Sequence, residues 1–216
     1  MKLKVAVLIF IGVCTLEECH AQYKENDWAD RDTWMNVSKI FELSEIESGS
    51  VVADVGCHEG YLTIHLSKKV GESGKIYAVD VREDRLRTLD EHVKEREIAN
   101  VTTVLGDYDD PKLPKQSLDA VIVMDTYHEI KEYKTVLAHI KTSLKPKGKI
   151  IIIEKLKKHM RNKSRADQIE AHTLSMSYVR SELKSAGFLI SKEINDFGKW
   201  ENDATKTIWI LVGTIQ

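Results

Sequence analysis

The stretch "VVADVGCHEGYLTIHL", Val51 to Leu66, decides the fold of this chain. An apolar run, Val51–Val55, leads into Gly56; Gly60 follows, and a helical pattern begins at about Tyr61. A glycine at the first position permits close backbone approach, and one at the second permits tight packing where the helix starts. The stretch therefore predicts a strand, a glycine loop and a helix, with the loop as a candidate nucleotide-cofactor site.

The rest of the chain repeats this alternation of strands and helices, without internal repeats or linkers. Helices are predicted over a leading segment from Trp28, over 61–70, up to about Arg96, over 132–144 and from Met176 to a stop at Gly187. The predicted strands are 51–55, 75–81, 100–106, 118–125, 149–156, 188–194 and 207–214.

The alternation predicts an α/β fold with three layers and a doubly wound, mostly parallel, seven-stranded sheet. The last two strands have no helix between them. Because a parallel crossover needs about a dozen residues or more, these two strands are predicted to be antiparallel neighbours. One strand near the C-terminus is therefore reversed.

Acidic residues lie where three of the predicted strands end. Asp54 and Gly56 close the first strand, Asp80 closes the second, and Asp107 with Tyr108 follows the third. Ligands of such sheets bind beyond the carboxyl ends of the strands, where the strand order reverses. An acid about 20 residues after a glycine loop binds ribose hydroxyls in dinucleotide folds, and a third acid could accept from an adenine amino group. The set predicts an adenosine-containing cofactor.

The glycine pattern distinguishes between adenosine cofactors. A pyrophosphate cofactor needs G-x-G-x-x-G at the helix start, and here the middle glycine is missing. Glu59 would also repel phosphates. S-adenosylmethionine has no phosphate but carries a sulfonium and an amino group, which suit a loop that contains acids. The loop therefore favours a methyltransferase over an NAD(P)-dependent oxidoreductase, which stays as an alternative.

Five segments in succession resemble the motifs of class I S-adenosylmethionine-dependent methyltransferases, which have a Rossmann-like fold. They are "VVADVGCHEGYLTIHLS", "IYAVDVRED", "VLGDYDDPKLP", "LDAVIVMDTYHEI" and "LKPKGKIIIIE". The resemblance extends from about Trp34 to the C-terminus, and is closest to the small-molecule branch that includes quinone-biosynthesis enzymes.

The resemblance implies the cofactor contacts. Asp54, Gly56, Cys57 and Gly60 are expected at the methionine end, Asp80 at the ribose, and Asp107 with Tyr108 at the adenine; His58, Val81 and Asp125 complete the predicted set. One residue departs from the family pattern, because His58 stands where the family's loop has glycine.

The segment "DTYHEI" follows the fourth strand, where this family places residues near the transferred methyl group. His128 is the candidate general base because its reference pKa, ~6.5, lets it accept a proton at neutral pH. Glu129 could orient it or bind a small-molecule acceptor. The alternative is that residues 127–129 only cap the next helix and shape the pocket.

The remaining charged and histidine residues give no further site prediction. No metal site is predicted, because His58, Glu59, Asp125 and His128 lack H-x-x-x-H or C-x-x-C spacing. The basic segment 154–165 is interpreted as a solvated loop, with anion binding as the alternative. The near-neutral net charge of −2 over 216 residues gives no strong nucleic-acid signal. His172 is interpreted as a surface or capping histidine, and Arg31 as a residue that could close over the cofactor.

The N-terminus has the layout of a secretory signal. Two lysines precede the apolar run Val5–Val13, and Ala21 is a small residue suited to cleavage. Residues 1–21 are predicted to be a signal peptide of an exported protein, with an uncleaved membrane tether or a buried first element as alternatives. Residues 22–216 are then a single domain whose one cysteine is Cys57.

Export conflicts with the cofactor, since S-adenosylmethionine is made in the cytoplasm. Three hypotheses follow: a methyltransferase for a small molecule, an exported non-catalytic nucleoside-binding protein of the same fold, and the oxidoreductase.

Overall fold

The computed structural model describes residues 24–215. The strands are β1 (Val51–Val55), β2 (Lys75–Asp80), β3 (Val101–Leu105), β4 (Leu118–Met124), β5 (Leu144–Lys157), β6 (Leu189–Lys199) and β7 (Lys206–Thr214). The α-helices are α1 (Trp28–Trp34), α2 (Val37–Ser44), α3 (Tyr61–Val70), α4 (Glu83–Glu95), α5 (Tyr133–Ser143), α6 (Arg165–Glu170) and α7 (Met176–Ser185).

The strands of the described residues form one seven-stranded sheet in the order β3-β2-β1-β4-β5-β7-β6. The first five strands of this order pair in parallel, and β7 runs antiparallel to both of its neighbours. The predicted fold class, including the reversed strand near the C-terminus, is confirmed. The chain winds outward from β1 to β3 and then returns to β4, so the switch point lies between β1 and β4.

The isoleucines 150–153 of β5 show why the fold has three layers. All four are fully buried, and successive side chains of a strand point to opposite faces of the sheet. Alternate isoleucines pack against α2 and α3 on one face and against α5 and α7 on the other. A strand covered on both faces needs a continuous apolar run, which is what the sequence provides.

Helix α3 follows directly from its sequence. Leu62, Leu66 and Val70 recur at intervals of four residues, and all three are buried against the sheet. The helix ends at Gly71, whose φ of 66° is a left-handed value that glycine adopts at low cost.

The leading helix is two helices rather than one. Met35 has an extended backbone (φ −100°, ψ 102°), which ends α1. Asn36 then caps α2, because its side chain accepts a hydrogen bond of 3.0 Å from the backbone N–H of Lys39. A continuous apolar pattern concealed this break in the sequence.

Helix α6 was not predicted, and the basic segment 154–165 is not a loop throughout. Residues 154–157 belong to β5, which is longer than predicted. Ser164 and Asp167 form a capping box that starts α6, and this spacing was the available signal.

The predicted signal peptide, residues 1–21, lies outside the described residues. Within residues 24–215, no helix combines the length and the apolar composition needed to cross a bilayer.

Candidate active site

The loop between β1 and α3 is folded against the ends of two neighbouring strands. The backbone N–H groups of Gly56 and Cys57 both donate to the carbonyl of Val79, at 2.8 and 3.0 Å. Gly56 has φ +80°, and a Cβ there would clash with the side chain of Thr126, which follows β4. The glycine is therefore required both for its backbone conformation and for the approach of β1 to β4.

His58 adopts a left-handed backbone conformation. Its φ is +51°, and its backbone N–H donates to Asp80 Oδ2 at 2.9 Å. The other oxygen of Asp80 accepts from the backbone N–H of Arg82 at 2.9 Å. The buried Asp80 carboxylate thus ties the loop to the end of β2, and the hydrogen bond offsets the cost of a non-glycine residue at positive φ.

Asp54 is a buried carboxyl group at the end of β1. Its Oδ2 accepts from Thr63 Oγ1 at 2.7 Å. Burial raises the pKa of Asp54 to about 6, although Thr63 and the nearby Arg31 oppose the shift. This acid changes its charge close to neutral pH.

A small cavity of about 20 Å³ opens beside Asp54. Arg31 closes it from α1, with its guanidinium carbon 4.2 Å from the ring centroid of Tyr61 and 5.4 Å from that of Trp200. The cavity is lined by Arg31, Asp54, Gly56, Cys57, His58, Glu59, Tyr61, Leu62, Met124 and Asp125.

A large cavity of about 540 Å³ lies on the other side of Gly56. Its volume is in the range of small-molecule sites. Asp80 and Val81 form one wall, and Asp107 with Tyr108, whose side chain is 79% exposed, forms the rim. Glu129 lies on the side of β4.

The two cavities bring together most of the predicted site residues. Asp54, Cys57, His58 and Asp125 line the small cavity, Gly56 lines both, and Asp80, Val81, Asp107, Tyr108 and Glu129 line the large one. Two predicted residues line neither. Gly60, at φ +99°, faces Leu89 of α4 and serves packing, and His128 is buried beneath Glu129.

Asp125 forms a buried ion pair that the sequence did not indicate. Its carboxylate contacts the Nζ of Lys155, which also lies 4.5 Å from the centroid of the Trp200 ring. Burial raises the pKa of Asp125 to about 6 despite the lysine. The sequence predicts a solvated loop over the basic segment 154–165, but Lys155 of this segment points inward from β5 and is buried.

His128 is held by a second buried acid, Glu154. His128 Nδ1 lies 2.9 and 3.0 Å from the two carboxylate oxygens of Glu154, and the His128 backbone N–H donates to the same group at 3.1 Å. Burial alone would lower the pKa of His128, but the carboxylate outweighs it and holds that pKa above its usual value. Only 1% of His128 is exposed, so it does not face the large cavity.

Glu129 lies between two histidines. Its Oε1 is 3.8 Å from His128 Nε2 and 4.0 Å from His172 Nδ1. The Glu129 side chain is 43% exposed and burial raises its pKa. Of the two acceptor-side residues predicted from "DTYHEI", Glu129 is the one that faces the large cavity.

Comparison with known proteins shows the family of the chain. The profile of the family described as "Methyltransferase domain" matches residues 46–206, which is more than half of the chain. The chain belongs to this methyltransferase domain family. The family, the fold class and the S-adenosylmethionine-dependent type predicted from the sequence motifs are confirmed.

The chain is similar to demethylmenaquinone methyltransferases. It is 31% identical over 109 residues to that of Geobacillus sp. (strain WCH70) and 32% identical over 109 residues to that of Anoxybacillus flavithermus. These matches cover 50% of the chain and 47% and 46% of the relatives. The matched part thus spans about half the length of these curated relatives.

Among solved structures, the chain resembles a SAM-dependent methyltransferase from Aquifex aeolicus. The TM-score is 0.75 at 25% identity, and the match covers 90% of this chain and 100% of that one.

The residues of the two cavities fit S-adenosylmethionine. The large cavity has room for a nucleoside beside the Asp80 carboxylate. The small cavity, at about 20 Å³, holds about one water molecule, but it is bordered by an acid, Asp54, and a guanidinium, Arg31, whose charges suit the amino and carboxylate groups of the methionine end. Gly56, where a Cβ would not fit, lies between them.

Proposed function

We propose that this chain is an S-adenosylmethionine-dependent methyltransferase that acts on a small molecule. The observation that carries the proposal is the pair of cavities that meet at Gly56, at the switch point between β1 and β4. One is of nucleoside size with an acid at its wall, and the other is narrow, with Asp54 and Arg31 of opposite charge.

The cofactor residues have distinct tasks in this proposal. Asp80 accepts hydrogen bonds from ribose hydroxyls in addition to the two backbone amides it already holds. Asp54 pairs with the amino group, and Tyr108 and Asp107 cover the adenine at the exposed rim. When bound, the cofactor supplies a methyl carbon activated by a sulfonium, so the protein mainly positions the acceptor.

The acceptor side is the part of the large cavity lined by Thr126, Glu129 and Ile130. A cavity of about 540 Å³ has room for a nucleoside and a small acceptor together. The relatives' names support a small-molecule acceptor as well. His128 lies behind Glu129 and supports this wall.

We also propose that residues 1–21 direct export and are removed after Ala21. The basic start, the short apolar run and the small residue at the cleavage point support this proposal. Mass spectrometry of the protein recovered from cells tests it, because cleavage predicts a chain that begins at Gln22. A mature chain that retains Met1 or the apolar run contradicts it.

Calorimetric titration of the purified protein tests the methyltransferase proposal. S-adenosylmethionine and S-adenosylhomocysteine are each expected to bind at micromolar concentration, whereas NADH gives no heat of binding. At about 100 times its dissociation constant, either ligand should add about 2.7 kcal/mol to the unfolding free energy. Binding without turnover of any acceptor would favour the exported, non-catalytic nucleoside-binding protein, and binding of NADH alone would favour the oxidoreductase.

Two matched aspartate variants separate binding from stability. Asp80→Ala should abolish binding of both ligands. Asp119→Ala is the control, because Asp119 also accepts a backbone N–H, that of Val51 at 2.8 Å, but at the opposite edge of the sheet. Unchanged affinity in the Asp80 variant would contradict the ribose assignment.

A further inference from the structure

His128, Glu129 and His172 bring three ligand atoms together beyond the end of β4, and Glu129 also lines the large cavity. His128 Nε2, a Glu129 oxygen and a His172 ring nitrogen all lie within 4.8 Å of one another. His128 and Glu129 belong to the short turn after β4, whereas His172 follows α6. Two imidazoles and a carboxylate from separate elements are the ligand set of many zinc and iron sites.

His128 Nε2 is the atom that points to a ligand. The residue is 1% exposed, and Nε2 has no hydrogen-bond partner among residues 24–215. A buried polar atom without a partner costs free energy, so such atoms in native proteins call for an explanation. Its nearest acidic atom is Glu129 Oε1 at 3.8 Å, which is too long for a hydrogen bond.

Glu154 prepares this imidazole for a metal ion. Both of its oxygens lie 2.9 and 3.0 Å from His128 Nδ1, so Nδ1 carries a proton, and loss of the Nε2 proton to solvent when a metal binds leaves the Nε2 lone pair as the ligand. A carboxylate behind a ligating histidine is the usual outer partner in zinc proteins, because it fixes the ring and increases its basicity.

Asp125, His128 and Glu154 form an alternative group of three, but it is occupied by its own contacts. Glu154 holds Nδ1, and the ammonium of Lys155 pairs with Asp125. A cation would have to displace both. The surrounding charges nevertheless favour a cation at Nε2, since the three acids Glu154, Asp125 and Glu129 outnumber the two lysines Lys155 and Lys157.

We propose that His128 Nε2, the Glu129 carboxylate and His172 Nδ1 bind a divalent transition-metal ion of the zinc class. Ligand atoms about 2.05 Å from a tetrahedral zinc are about 3.3 Å apart. Glu129 Oε1 is 3.8 and 4.0 Å from the two histidine nitrogens, so these separations need to close by less than about 1 Å, and the separation between the histidine nitrogens, at most 4.8 Å, by at most about 1.5 Å. Glu129 and His172 are both 43% exposed and can make that movement while His128 stays fixed.

Three protein ligands leave one position of a tetrahedral ion open, and Glu129, the ligand that lines the large cavity, would bring the ion to the wall of that cavity. If methyl transfer is the activity, as proposed above, an acceptor oxygen, nitrogen or sulfur atom can occupy that position. The metal proposal itself does not depend on methyl transfer, because binding of the ion is measured directly.

The test uses the full chain, without an affinity tag, after removal of metals with a chelator. Titration with Zn²⁺, and separately with Co²⁺, should show one saturable site per chain. The visible spectrum of the Co²⁺ protein should lack a thiolate charge-transfer band, since no cysteine belongs to the site. A thiolate band would place the ion at Cys14, Cys19 or Cys57 and overturn the proposal.

Matched histidine variants locate the ion. His172→Ala should weaken Zn²⁺ binding at least ~10-fold, since even outer partners of metal ligands contribute 10–100-fold. His139→Ala is the control, because His139 is 44% exposed and also lies near a carboxylate, 3.5 Å from Asp110, but on α5. Equal affinity in the two variants, or no saturable binding by the unaltered chain, overturns the proposal.

Glu129→Gln gives an independent check at an exposed position. It should weaken Zn²⁺ binding, whereas His172→Ala, at a residue that lines neither cavity, should weaken Zn²⁺ binding and leave the affinity for S-adenosylhomocysteine unchanged within about twofold. Loss of zinc binding with intact cofactor binding separates this proposal from the methyltransferase proposal. Unchanged zinc affinity in this variant contradicts the assignment of Glu129.

Discussion

Gly56 and His58 show how single residues set the cofactor loop. Both have positive φ, but only Gly56 is also confined by a neighbouring side chain, that of Thr126. His58 is held in its conformation by Asp80, through a backbone hydrogen bond. One position therefore requires glycine, while the other tolerates a side chain because a contact from β2 compensates for it.

Gly56→Ala should destabilise the protein and impair cofactor binding. The positive φ alone costs about 1–3 kcal/mol for a residue with a Cβ, and the clash with Thr126 adds to this cost. Gly49→Ala is the control, because Gly49 has φ +85° but its added Cβ would lie 3.5 Å from Ser73 Oγ. Urea unfolding of both variants measures the difference. Equal losses of unfolding free energy in the two variants would show that the contact with Thr126 adds no cost.

Asp54 should make cofactor affinity depend on pH. With its pKa raised to about 6, the carboxyl group is ionised at neutral pH and becomes neutral as the pH falls through 6. The ligand's amino group stays protonated over this range, so only the attraction from Asp54 is lost. Affinity should fall by up to about tenfold per pH unit below the pKa.

Calorimetry between pH 5 and 8 measures this dependence, and two variants give its controls. Asp54→Asn should bind weakly at all these pH values, with no step near pH 6. Thr63→Val removes a hydrogen bond that lowers the pKa of Asp54, so the step should move to higher pH. A pH-independent affinity would contradict the role of Asp54.

In the unliganded protein the raised pKa of Asp54 affects folding stability in the opposite direction. The contribution of Asp54 favours folding at low pH and is lost as the pH rises from 3.8 to about 6.

At the scale of the element, α6 connects the end of β5 to the region of His172. This six-residue helix is too short to be stable alone, so its ends and its contacts hold it. Buried Gln168 donates to the carbonyls of Met160 and Lys163, and accepts from the backbone N–H of Ser175. These bonds fix the turn that carries His172 above Glu129.

Removal of the capping box should destabilise α6. Ser164→Ala loses the hydrogen bond to the backbone N–H of Asp167 and should cost about 0.5–2 kcal/mol of unfolding free energy. Ser175→Ala is the control, because Ser175 is the N-cap of α7 but its hydroxyl bonds to Ser177 Oγ at 3.0 Å and not to a backbone N–H of the helix. Urea denaturation compares the two. An equal or larger loss at Ser175 would show that the capping box contributes little.

At the scale of the whole molecule, the layers isolate Cys57 from solvent. The thiol is 5% exposed and packs in the core cluster that joins α3 and α4. Burial raises the pKa of this thiol well above its usual value, and Asp54 and Asp80 act in the same direction. Because the thiolate is the reactive form, Cys57 is unreactive in the folded protein.

Thiol labelling should therefore report the opening of the fold. In a Cys14→Ser, Cys19→Ser background, Cys57 should react only as fast as the structure opens, and addition of S-adenosylhomocysteine should slow the reaction further, because Cys57 also lines the small cavity. Ellman's reagent measures the rate with and without ligand. Rapid labelling under native conditions would contradict the burial of Cys57.

The sequence by itself determined the sheet and the edge at which ligands bind. Apolar runs such as residues 118–125 and 149–156 are long enough to form strands buried on both faces, and the absence of a helix before residues 207–214 required a reversed strand. Gly56, Asp54 and Asp80 were identifiable because each lies at or just past the carboxyl end of a strand, and the carboxyl ends of parallel strands share one edge. These features depend on local periodicity and short spacings, which a linear sequence contains.

Only the tertiary structure decided which side chains meet across that edge. Lys155 reaches Asp125, Glu154 holds His128, and His172 approaches Glu129, although none of these pairs shares an element. Their proximity depends on the register of β4 against β5 and on the turn after α6. Since spacing along the chain does not encode distances set by packing between distant segments, the sequence did not indicate the buried pairs that Lys155 and Glu154 form.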